Sequence, residues 1–196
     1  MKRSRVIVPC AVFATALGGS FAYATNFGST AASGDPVSQV SLANNKHHRV
    51  DFFDTTTRIG NITQWALDNQ FPRFDFTWQY VDSSDYDVRV ADSNFQDNGV
   101  YAWVNCPSGA TETGSNPNRT CYGQRLNYNL YSGYESAWDS TYGGRVLACH
   151  ELGHTVGLRH EDANDNPSCL KNNATPDNLD ANAYSTEDVN HVLNNY

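Results

Sequence analysis

Hydrophobic and polar positions change period several times along the chain, and each change marks an element. Between Thr57 and Asn69, Ile59, Ile62, Trp65 and Ala66 recur at spacings of three and four, the pattern of an amphipathic helix. Gly60 weakens the start of that helix, since an interior glycine costs about 0.5–1 kcal/mol relative to alanine. Alternation then replaces it. FDFTWQYV (74–81), DVRVA (87–91) and VYAWV (100–104) read as strands, the last following an Asn-Gly turn signal at 98–99. RLNYNLY (125–131) is a further strand candidate. A second helix is predicted from about Thr141 to Leu158, capped by Asp139 or Ser140. In the closing stretch AYSTEDVNHVLNNY, Ser185 and Asp188 resemble a capping box, and Val189, Val192 and Leu193 share a helical face. No internal repeat is visible. The order is helix, several strands, helix, irregular loop, helix, which is an α+β arrangement.

The ends of the chain have a different character. Residues 1–24, MKRSRVIVPCAVFATALGGSFAYA, combine Lys2, Arg3 and Arg5, an apolar run from Val6 to Leu17 and the A-x-A site Ala22-Tyr23-Ala24. That is the composition of a cleaved export signal; the run is short for its rival, an uncleaved membrane anchor. Residues 25–45 are small, polar and without apolar periodicity, as in a flexible leader or short propeptide. The folded domain is expected over 46–196, in a secreted product. Removing 1–24 takes three of the 13 Lys and Arg and leaves ten against 21 Asp and Glu, a net charge of −11. Such acidity argues against nucleic acid or an anionic membrane as partner.

Cleavage also removes Cys10 and leaves Cys106, Cys121, Cys149 and Cys169. An even number in an exported chain implies two disulfides, drawn from three pairings. The most local pairing, 106–121 with 149–169, is preferred. A thiolate zinc cluster is the alternative, against which stands the lack of any C-x-x-C pair.

The chemistry is concentrated in CHELGHTVGLRH (149–160), which holds three of the six histidines. From composition alone, H-E-x-x-H-x-x-G-x-x-H would arise in roughly one chain in 10^5 of this length. On a helix His150 and His154 share a face and can address one ion. Gly157 can adopt the left-handed conformation that stops a helix and turns His160 back toward the same point. Three protein ligands leave one position open on a tetrahedral zinc, the mark of a catalytic site. Glu151 is placed as general base for the water activated there. His47, His48 and His191 are expected to be surface residues. The acidic clusters Asp82-Ser83-Ser84-Asp85 and Asp162, Asp165 are second-rank candidates for calcium, with exposed loops as the plainer reading.

His150, Glu151, His154, Gly157 and His160 make the chain resemble the metzincin zinc metallopeptidases, its matrixin-like or snapalysin-like secreted branches being nearest. The resemblance implies a twisted mixed sheet of about five strands, an active-site helix and a C-terminal helix. It also implies that VYAWV (100–104) is an antiparallel edge strand along which a protein or peptide substrate lies extended. The chain departs from that family in one respect. Its only methionine is Met1, and Leu170, within Ser168-Cys169-Leu170, falls where the family carries a methionine beneath the metal. Such an exchange usually costs less than ~1.5 kcal/mol. The tyrosine that some relatives place two residues later is replaced by Asn172, and snapalysins use aspartate where this chain has His160. The leader has no cysteine for thiol-to-zinc latency. In this setting a Cys149–Cys169 bond would fasten the turn under the metal.

The expected function is therefore that of a secreted, monomeric zinc endopeptidase. A zinc-binding protein of the same fold without turnover, and a zinc hydrolase of a non-peptide amide, are the alternatives.

Overall fold

The computed structural model describes residues 43–107, 111–113, 120–160, 168–171 and 183–196. The expected signal and leader segments, up to residue 42, lie outside the described residues, as do Asp162, Asp165 and Asn172.

The first strand, β1 (His47–Phe52), comes from a segment whose histidines and charges hide its alternation. His48 and Val50 are buried, whereas His47 is exposed and Arg49 half-buried. Helix α1 (Thr57–Asn69) has the bounds that its periodicity predicts, with the Thr56 hydroxyl capping the amide of Ile59. It buries Ile59, Ile62, Thr63, Ala66 and Leu67. The segment 74–81 is only partly a strand: Phe71–Phe74 forms a 3₁₀ turn around Pro72, and β2 is confined to Thr77–Tyr80. Proline removes a ladder donor and fixes φ, so the chain turns before it extends. β3 (Val88–Ser93) and β4 (Ala102–Asn105) follow.

After Cys106 come two short strands, β5 (Thr111–Thr113) and β6 (Thr120–Tyr122), paired antiparallel. β7 (Gln124–Asn129) completes the set. A short helix, α2 (Glu135–Asp139), precedes α3 (Thr141–Thr155), whose amide at Gly143 is capped by the Ser140 hydroxyl. Helix α4 (Thr186–Leu193) begins with the reciprocal capping box of Ser185 and Asp188.

Five strands form one mixed sheet in the order β2-β1-β3-β7-β4. β2 and β3 flank β1 in parallel, β3 and β7 are parallel, and β4 pairs antiparallel with β7 at the edge. The parallel pairs need crossovers, which α1 and the longer connections supply. Val50, Val88, Val90, Val104, Leu126 and Tyr128 are buried in one core with Ile59, Ala66, Val146 and Leu152 of the helices. The alternate positions Arg49, Asp51, Arg89 and Asp87 pair as ions, Arg49 with Asp87 at 3.1 Å and Arg89 with Asp51 at 2.7 Å.

His48 corrects the surface assignment made from sequence. It is fully buried, in edge-to-face contact with Phe71 and Phe76 at centroid distances of 5.0 and 5.3 Å. The inward phase of β1 decides this, and that phase is set by its neighbours β2 and β3 rather than by local composition.

Candidate metal centre

Helix α3 carries His150, Glu151 and His154 into the interior, where Glu151 and His154 are buried. The helix stops at Thr155, three residues short of the predicted Leu158, and the stop is built around glycine. Gly157 has φ 98°. The amide of Leu158 donates to the Gly153 carbonyl at 3.0 Å, and that of Gly157 to the His154 carbonyl at 3.4 Å. These are the two bonds of a Schellman C-cap, in which the left-handed residue lets the chain reverse.

The reversal delivers His160. Its Nε2 lies 2.9 Å from Nε2 of His150 and 3.2 Å from Nε2 of His154. All three ligand atoms fall within 4.8 Å of one another, so the three imidazoles could hold a metal ion. Bonds of ~2.0–2.1 Å in tetrahedral geometry require ligand atoms roughly 3.3 Å apart. The observed separations are close to that.

Hydrogen bonds on the far side of two rings set their tautomers. Nδ1 of His150 lies 2.7 Å from the Cys169 carbonyl, and Nδ1 of His154 lies 2.7 Å from the Leu158 carbonyl. A carbonyl only accepts, so both Nδ1 atoms carry the proton and, in the neutral ring, both Nε2 atoms present lone pairs to His160. One proton on His160 Nε2 can point at one of them and leaves the other lone pair facing it. A cation among the three removes the conflict. Protonation of His154 is disfavoured: burial pushes its pKa well below the ordinary 6.5, and the His150 and His160 rings add to the shift. His154 therefore offers neutral nitrogen, a donor suited to a transition-metal cation.

The turn beneath these rings is Ser168–Leu170. Leu170 is fully buried, and its Cδ2 lies against Gly153 so closely that a Cβ there would sit 2.8 Å away. The close approach requires glycine at that point of the helix. Disulfides join Cys149 to Cys169 and Cys106 to Cys121, the preferred pairing. The first ties the helix residue before His150 to the turn, and the second joins the end of β4 to β6. Tyr184 donates to the Cys149 carbonyl at 2.6 Å.

The three predicted histidine ligands thus converge. Sequence reasoning missed the Cys169 and Leu158 carbonyls, because a main-chain acceptor has no residue type to signal it. Of the calcium candidates within the described residues, Asp85 pairs with Arg49. Asp82 joins no group of three or more potential ligands, the histidine cluster being the only such group among the described residues.

The chain matches no protein-family model and no curated protein. No helix among the described residues is long and apolar enough to cross a membrane.

Proposed function

We propose that the chain is a secreted, zinc-dependent endopeptidase of metzincin type, with His150, His154 and His160 as ligands and Glu151 as general base. The observation that carries the reading is the convergence of three Nε2 atoms, two of them held as lone-pair donors by main-chain carbonyls. Carbonyl acceptors behind ligating imidazoles fix ring orientation and raise ligand basicity.

Zinc held by three imidazoles supplies Lewis-acid polarisation and brings the pKa of water toward ~7. The remaining work falls to the chain. Glu151, 4% exposed and next in sequence to His150, would accept a proton from the attacking water and return it to the leaving amine. Its burial keeps bulk solvent from competing for that proton. β4, antiparallel at the sheet edge, offers main-chain groups to an extended peptide, a mode that tolerates varied side chains. The edge strand supports a peptide substrate over a small amide.

The test is metal content together with casein cleavage by the purified chain beginning at Thr25. Glu151→Gln should retain one zinc per chain and lose at least about 10^2-fold in kcat, the lower range for a general base. A chelator should abolish activity reversibly. Stoichiometric zinc without cleavage of any protein would favour the metal-binding protein without turnover, and no zinc at all would end the proposal.

A further inference from the structure

The two carbonyls that orient the histidines are held in different ways. That of Leu158 belongs to the helix reversal itself, four residues from His154. That of Cys169 comes from a turn nineteen residues from His150, so its direction depends on whatever braces the turn. The disulfide fixes the Cys169 side chain, but a peptide plane can still rotate about its flanking Cα atoms.

Ser168 braces that plane. Its Oγ accepts from the amide of Leu170 at 3.1 Å. The Leu170 N–H and the Cys169 C=O belong to one trans peptide unit and point in opposite directions. Holding the N–H therefore aims the C=O, which accepts from His150 Nδ1 at 2.7 Å. Ser168 is itself held: its hydroxyl donates to Asp188 Oδ2 at 2.7 Å, which turns its lone pairs toward Leu170. Asp188 is fully buried. Its Oδ2 also accepts from the Ser185 amide at 2.8 Å, at the third residue of α4, where a helix N-terminus favours negative charge.

We propose that Ser168 and Asp188 are positioning residues for His150, the capping carboxylate of α4 orienting the serine hydroxyl that aims the carbonyl behind the metal ligand. Bonds in such a chain polarise one another, so the Cys169 oxygen becomes a stronger acceptor and His150 a more basic ligand. Asp188 thus has two tasks, starting a helix and setting an imidazole on a different helix. The inference rests on the metal-site reading above.

Chelator competition for zinc tests it. Ser168→Ala should bind zinc about 10–100-fold more weakly, the usual effect of losing a group that supports a ligand. Ser168→Thr, which keeps the hydroxyl, should stay near wild type, and Asp188→Asn should fall between. A purely structural role would lower the unfolding midpoint yet leave the zinc affinity of the folded protein unchanged; that result overturns the proposal. If Ser168→Ala does not fold, Asp188→Asn decides, and wild-type affinity there also overturns it. Should the wild-type chain bind no zinc, the metal-site reading fails separately. The positioning is then read in the metal-free protein from the His150 Nδ1 proton resonance, which should shift in Asp188→Asn; an unmoved resonance refutes the inference.

Discussion

His48 makes the stability of this protein depend on pH in a way that can be worked out from its surroundings. The side chain is fully buried, and neither ring nitrogen has a hydrogen-bond partner among the described residues. Its pKa is lowered from 6.5 to about 4, chiefly by burial, with Asp87 opposing and His47 reinforcing the shift. The folded state therefore keeps the ring neutral where the unfolded chain takes up a proton. The contribution to stability is complete above pH 6.5 and is lost as pH falls from there toward about 4. Each pH unit inside that window corresponds to about 1.4 kcal/mol. Between about pH 7.5 and about pH 4.5 the loss should be on the order of 2–3 kcal/mol, a large share of the roughly 5–15 kcal/mol of a typical domain.

Urea unfolding of the wild type and of His48→Leu at several pH values isolates this group, because every other titrating residue is common to both proteins. At neutral pH the variant should be at least as stable, since leucine removes two buried polar atoms whose lack of partners costs about 1–3 kcal/mol. As pH falls, the wild type should lose on the order of 2–3 kcal/mol more than the variant. Stability curves that stay parallel from neutral to acid pH would refute the reasoning. They would mean that the ring is hydrated or hydrogen-bonded in solution.

Three further outcomes follow from the site. Gly157→Ala forces a side chain into φ 98°, which should cost about 1–2 kcal/mol in urea unfolding and weaken zinc binding by displacing His160. Gly153→Ala places a Cβ 2.8 Å from Leu170 Cδ2 and 2.9 Å from Tyr184 Cε1. Overpacking of about 1–3 kcal/mol should outweigh the helix gain of up to about 1 kcal/mol, and a thermal midpoint at or above wild type would contradict that contact. Replacing Cys149 and Cys169 together by serine opens a link across 20 residues. The chain-entropy model gives a loss of about 3 kcal/mol, visible as a lower midpoint in non-reducing thermal melts.

Much of this molecule is written locally. The periodicity of Ile59, Ile62 and Ala66 suffices for α1, because the neighbours that bury one helix face are three and four residues apart. The Ser185–Asp188 box and the stop at Gly157 are likewise local, being settled by hydrogen bonds and φ within a single turn. The three ligands were legible for the same reason: one helix and one reversal bring them together. Other features depend on partners far along the chain. His48 is buried because β1 lies between β2 and β3 in a register that turns its ring inward, and nothing in HHRVDF marks that choice. The ladder order β2-β1-β3-β7-β4 and the bracing of His150 by a serine and an aspartate from 18 and 38 residues downstream arise only on folding. A hydrogen bond to a distant main-chain carbonyl leaves no period in the sequence, because the acceptor is the same in every residue.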